Sequence, residues 1–175
     1  MGETVGTIRL FGVVTDSIVD GMGYRAAIFA QGCPHACAGC HNPQSHDPNG
    51  GTEWTLDEVE KKFTGNPLQD GITLSGGEPF GQAVACAELA RRAHQKGLNV
   101  WTFSGYTYEE LLCTGKTDAA VKALLDETDV LVDGRFMMAE RSLDLLYCGS
   151  RNQRVVDMQK TREAGVVVLF TPPEW

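Results

Sequence analysis

The stretch Cys33-Pro34-His35-Ala36-Cys37-Ala38-Gly39-Cys40 constrains this chain more than any other. Three thiols fall within eight residues, at spacings of four and three. Pro34 withholds a backbone donor and Gly39 favours turns, so the segment suits neither a strand nor a regular helix. A wrapping loop that aims three sulfurs at one object fits it better. The apolar run Ala26-Ala27-Ile28-Phe29-Ala30 leads directly in and reads as a buried strand delivering the thiols from its C-terminal end. Zinc asks for four ligands at a structural site, and His35, His41 or His46 offers the fourth. Thiolates also hold iron-sulfur clusters, and a four-iron cluster on three thiolates keeps one iron open for an outside ligand. The loop alone leaves both metals open.

With 175 residues, 42% of them apolar, the chain has material for one domain over 1–175 and too little for two comfortable ones. It has no run of eighteen apolar residues and no basic-plus-apolar leader, so neither secretion nor a membrane span is expected. The other cysteines, Cys86, Cys113 and Cys148, stand apart, which is no disulfide framework and fits a reducing cytoplasm. The formal charge of −8, from 15 basic and 23 acidic residues, argues against a general nucleic-acid binder, which gathers Lys and Arg into a stripe. Arg91, Arg92 and Lys96 read as a solvated helix face. A nucleotide-like cofactor in a pocket remains compatible with this charge.

Along the chain, strands are expected over Val5–Val14, Arg25–Gln31, Gly71–Leu74, Asn99–Phe103 and Val130–Val132. The glycines flanking Met22 suggest a close backbone approach, to the core or to a ligand. Residues 41–51 are too rich in Pro, Gly and Asn for a regular element. Thr55 and Glu58 have capping-box spacing, so a helix starts near Leu56 and ends before Gly65. Further helices are expected over Gln82–Gln95, capped by Gly97, over Thr107–Leu112 and over Thr117–Glu127. Arg154–Met158 suits a strand, Lys160–Ala164 a helical turn, and Val166–Phe170 an extended, mostly buried segment. Repeated strand–loop–helix units point to a parallel α/β arrangement. A full eight-unit barrel needs roughly 250 residues, so an incomplete, open barrel is the economical form.

A second motif, Ser75-Gly76-Gly77-Glu78-Pro79, follows one of these strands. Its two glycines clear side chains from a backbone that can then approach a ligand. Together with the cysteine triad, it resembles the radical S-adenosylmethionine enzymes. Within them the chain is most similar to the activating proteins of anaerobic ribonucleotide reductases. Ser17-Ile18-Val19-Asp20-Gly21, Asp129 to Phe136 through Asp133-Gly134-Arg135, and Gly149-Ser150-Arg151-Asn152-Gln153-Arg154 support that likeness. Met22 departs from it, standing where the family usually has proline.

The resemblance implies an α/β fold, an incomplete TIM-like barrel of parallel strands with outer helices. It implies one 4Fe-4S cluster on Cys33, Cys37 and Cys40, with S-adenosylmethionine on the open iron. Gly76 and Gly77 would bring main chain close to the cofactor's methionyl part, and Gly77, Glu78 and Pro79 would hold its amino group, with no proton transfer assigned to Glu78. Ser104 would touch the sugar or methionyl portion, and Asp133 and Arg135 would orient cofactor or substrate. A simple turn at Asp133-Gly134 and a surface pair between Arg135 and Glu140 are the plainer readings. A low-potential donor such as a flavodoxin or ferredoxin would reduce the cluster. The resulting 5′-deoxyadenosyl radical would take a Cα hydrogen from a glycine of the anaerobic reductase. Arg135 and Asn152 to Arg154 are the interface candidates. His35 and His41 suit hydrogen bonds that tune the cluster, His94 a solvated surface, and Cys86 a small buried hydrophobe. Three rivals stand beside this reading: activation of another glycyl-radical enzyme, a small-metabolite enzyme of the deazaguanine-synthase type, and a zinc-binding interaction module.

Overall fold

The computed structural model describes residues 6–174. One sheet contains seven strands among the described residues: β1 (Thr7–Ser17), β2 (Arg25–Ala30), β3 (Thr52–Thr55), β4 (Gly71–Gly76), β5 (Asn99–Phe103), β6 (Val130–Asp133) and β7 (Arg154–Asp157). Their order is β3-β1-β2-β4-β5-β6-β7, open at both edges. Five α-helices accompany them among the described residues: α1 (Leu56–Thr64), α2 (Ala83–Gln95), α3 (Tyr108–Thr114), α4 (Ala119–Glu127) and α5 (Met158–Ala164). None is long and apolar enough to cross a membrane.

The incomplete barrel is thus present, but only its middle is parallel. β2, β4, β5 and β6 run together, while β1, β3 and β7 pair antiparallel at the two sides. Burial explains the division. β2 is covered on both faces and is correspondingly an apolar run. β1 and β3 expose many of their residues, as edge-side antiparallel strands can.

Helix starts follow local chemistry. Thr55 Oγ1 accepts from the Glu58 amide at 3.1 Å while the Glu58 carboxylate accepts from the Thr55 amide at 2.8 Å, the reciprocal cap read from the sequence. Thr107 and Glu110 repeat this at α3. Gly97, at φ +77°, follows the end of α2 and donates to the His94 carbonyl. Small residues of α2, including Ala90 and Ala93, let it press closely on Ile28, Leu74 and Val100 of the sheet.

The opposite face carries a smaller cluster of Trp101, Val130 and Val132, with Tyr147 and Phe170 edge-on to Trp101 at 4.9 and 5.2 Å. Arg25 is fully buried beneath it, its guanidinium 5.4 Å from the Trp101 ring. It donates to Thr73 Oγ1 at 2.7 Å and to the carbonyls of Met22 and Ile72 at 2.8 and 2.6 Å. Burial pulls its pKa down to about 10, against the pull of Asp70 and Asp129. A Cβ on Gly21 would lie 2.9 Å from the Arg25 side chain, so this glycine serves a close approach within the core.

Several elements differ from expectation. β1 extends to Ser17, and the Val5 end of the expected strand lies outside the described residues. β3 emerges from a stretch with no clear pattern, because its register comes from pairing with β1 (Ile8 opposite Trp54). Met158 belongs to α5, whose N-cap is Asp157. The 166–170 segment is not mostly buried: Val166 and Leu169 are exposed. It lies along β7, with Asp157 N donating to the Val168 carbonyl and Phe170 N to the Val155 carbonyl. Being outermost, it covers only one side, through Phe170 on Trp101. His94 is not simply solvated, since it bridges Glu127 at 2.7 Å and Asp129 at 2.8 Å.

Candidate functional site

Because β2, β4, β5 and β6 are parallel, their C-terminal ends share one rim, and there α/β folds gather ligand-binding loops. A cleft of about 540 Å³ opens on this rim. Cys33, Cys37 and Cys40 line it beyond β2, Ser75, Gly76 and Gly77 at β4, Ser104 and Gly105 beyond β5, and Val132 and Gly134 at β6.

The cysteine loop is anchored at its entrance by the returning chain. Gly32 N donates to the Ser45 carbonyl at 2.6 Å, and Cys33 N donates to the His46 carbonyl at 3.1 Å. Between these anchors the backbone turns sharply, with Ala36 at φ +49° and Gly39 at φ +75°. Gly39 also packs against Met138, whose Cε would sit 2.8 Å from an added Cβ. All three thiols are partly buried and unbridged. Burial pushes the Cys33 thiol up, the amide of His35 opposes this, and Glu78, Cys37 and Cys40 add to it.

The glycine turn is fastened to the same strand end. Gly77 N donates to the Ala30 carbonyl at 2.7 Å and Glu78 N to the Gly32 carbonyl at 2.8 Å. A Cβ on Gly76 would meet the Ala30 amide nitrogen at 2.5 Å, and one on Gly77 the Gly32 oxygen at 2.4 Å. The glycines are therefore needed for the turn to lie against the cysteine loop, whatever they also offer a ligand.

Glu78 joins three loops. Its fully buried carboxylate accepts from His35 Nε2 at 2.7 Å, Ser104 Oγ at 2.9 Å, Gly105 N at 2.9 Å and Phe80 N at 3.2 Å. His35 in turn stands edge-on to Tyr106, with ring centroids 4.5 Å apart. A Cβ on Gly105 would lie 2.4 Å from the imidazole, so that residue has no room for a side chain. Glu78 and Pro79 sit behind the cleft surface, whereas Gly76, Gly77 and Ser104 are on it.

Asp133 is also turned inward. It accepts from Tyr108 N at 2.8 Å and pairs with Arg154, which reaches Glu109 at 2.7 Å as well. Arg135 is exposed and outside the cleft lining, and no pair with Glu140 forms. Asn152 Nδ2 donates to the Arg135 carbonyl and Gln153 Nε2 to that of Gly134, so the Asn-Gln-Arg stretch braces the β6 exit. Cleft residues not anticipated from sequence come from the 141–149 crossing segment: Arg141, Leu143, Tyr147 and Cys148 among them. Arg141 is the one Lys or Arg in the lining among the described residues. Burial, aided by Asp133, pushes the Cys148 thiol up to about 11. No local pattern marks these positions, because the segment has no regular structure.

The donor set fits an iron-sulfur cluster: three free thiols of one loop line the cleft beside the glycine turn, and the fourth thiol in the lining, Cys148, comes from a different segment. Among the described residues, no three His, Cys, Asp or Glu side chains are grouped to hold a single metal ion. The site and fold define an iron-sulfur protein built on a partial barrel, and the family described as "4Fe-4S single cluster domain" matches residues 19–156. The anaerobic ribonucleoside-triphosphate reductase-activating protein of Vibrio cholerae serotype O1 is 35% identical over 146 residues, 78% of this chain and 89% of that one. Its counterpart in Escherichia coli K12 is 33% identical over 146 residues, 79% and 91% of the two chains. The pyruvate formate-lyase-activating enzyme of Clostridium pasteurianum is 34% identical over 113 residues, 59% of this chain and 48% of that one. The chain belongs to the family of anaerobic ribonucleoside-triphosphate reductase-activating proteins, within the radical S-adenosylmethionine enzymes.

Proposed function

We propose that this protein activates an anaerobic ribonucleotide reductase by placing a radical on one of its glycines. The observation that carries the reading is the meeting of Cys33, Cys37 and Cys40 with Gly76 and Gly77 at one cleft. When bound there, a 4Fe-4S cluster and S-adenosylmethionine supply the one-electron chemistry that removes a glycine Cα hydrogen. The chain's own contribution is to hold, orient and shield.

Cys33, Cys37 and Cys40 hold the cluster. Gly76 and Gly77 present main chain rather than side chains to the methionyl portion. Ser104 is fixed by Glu78 on one side and donated to by Tyr106 N at 3.0 Å on the other, so it offers a preset edge to the cofactor. Glu78 and Asp133 act as braces behind the lining instead of touching it. Arg141 supplies the cation that meets the cofactor's carboxylate, a role Arg135 is badly placed to fill. Phe103, Val132 and Phe136 give the cleft apolar walls that limit water around a reactive species. A flavodoxin- or ferredoxin-like donor delivers the electron, and the setting is the cytoplasm.

The test is anaerobic. Reconstituted protein, reductant, S-adenosylmethionine and the reductase are mixed and examined by electron paramagnetic resonance. A glycine-type doublet on the reductase, lost when its loop glycine is changed to alanine, is the expected result. A loaded cluster that yields neither 5′-deoxyadenosine nor a partner radical overturns the reading.

A further inference from the structure

Thirteen large hydrophobic residues are well exposed among the described residues; two of them, Val19 and Leu143, line this cleft, and four more stand within two residues of a lining residue. Ile18 and Val19 stand 72% and 74% exposed where β1 leaves toward β2, and Val19 itself lines the cleft. Leu143, 87% exposed, and Leu146 lie on the crossing segment, which also lines it. Met137 and Met138 follow the lining residue Phe136, and Met138 rests on Gly39 of the cysteine loop. No ion pair joins these segments to the rest of the described chain, and each of the six side chains keeps about half or more of its surface exposed. Apolar side chains gathered at a functional opening mark a surface built to be covered.

We infer that this apolar rim is the docking surface for the reductase, taking the face that surrounds its glycine. The inference rests on the proposed function. A main-chain Cα can enter the cleft only with its neighbours, so the parent surface must come down on the rim. The rim's chemistry then specifies the partner: apolar and adaptable, as two methionines favour, rather than a basic patch answering the net charge of −8. Asn152, Gln153 and Arg154 are poor interface residues by comparison, since internal bonds already hold them.

The test uses the cluster-loaded protein with Ile18→Ser and Leu146→Ser combined, both outside the cleft lining, and Lys122→Ser on α4 as a distant control. Binding to the reductase, measured anaerobically, should weaken roughly ten-fold or more in the double variant, and glycyl-radical yield at limiting protein should fall with it. The control should bind as the unaltered protein does. Release of 5′-deoxyadenosine under chemical reduction without reductase should stay unchanged, and Leu146→Ser alone should show a smaller loss. Unchanged affinity in the double variant overturns the proposal. So does wild-type binding that collapses in high salt, or a change confined to self-association. Failure of the unaltered, loaded protein to cleave S-adenosylmethionine is a different result, and it removes the proposed function itself.

Discussion

His35 Nε2 lies 2.7 Å from the buried carboxylate of Glu78. One residue comes from the cysteine loop and the other from the glycine turn, so this contact locks the two halves of the site together. The same carboxylate also takes Ser104 and Gly105, from beyond β5. The glutamate of the glycine turn is thereby a brace for three loops.

Replacing that brace should cost stability before it alters chemistry. Glu78→Gln puts an amide donor against existing donors and should destabilise the protein by about 1–3 kcal/mol. Glu78→Ala leaves four donors without their acceptor and should cost at least as much. Urea denaturation of the cluster-free chain reads both, and an unchanged midpoint for Glu78→Ala would refute the role.

Gly105→Ala drives a methyl into the His35 ring, because the added carbon would sit 2.4 Å from the imidazole. Overpacking of this kind costs about 1–3 kcal/mol. Iron retained per chain after reconstitution should drop, since the cysteine loop must shift. Gly81→Ala, with nothing within 4 Å of the added carbon, is the matched control and should keep its iron.

Among the thiols, Cys33→Ala, Cys37→Ala and Cys40→Ala should each lose the visible absorption and most of the roughly four irons per chain. Cys148→Ala should keep them, although Cys148 shares the cleft. Cys86→Ala should also keep them: this thiol is fully buried in the helix-side core and pushed up to about 12 by desolvation. Normal iron in Cys37→Ala would remove it from the ligand set.

His94 gives a pH signature. Burial disfavours its imidazolium, but hydrogen bonds to Asp129 and Glu127 outweigh that and raise its pKa. A folded-state pKa above the unfolded one adds stability that is full below the unfolded value, about 6.5, and is lost as pH rises through the folded value. The stability difference between the unaltered protein and His94→Asn should therefore be larger near pH ~5.5 than near pH ~8.5. Denaturation at the two pH values checks this, and an equal difference at both would contradict it.

Much of the architecture is written locally. The apolar run of β2, the caps at Thr55 and Gly97, and the small residues of α2 each act over a few positions, and all form as their spacing implies. The cysteine triad and the glycine turn are legible for the same reason, since three thiols in eight residues or two adjacent glycines need no distant partner to be conspicuous. Other features depend on what folding brings alongside. β3 is a strand because β1 offers it an edge, and the 166–170 segment lies on β7 with one side open to solvent. Charge on Glu78 and Asp133 suggests contact with a ligand, yet partners 21 to 43 residues away in sequence turn both inward. Arg141 and the apolar rim come from three separate connecting segments whose residues share no common period. Short-range spacing determined most of the elements and the gathering of three cysteines in one loop, whereas the destination of each polar group and the shape of the opening came only from long-range contacts among four parallel strand ends.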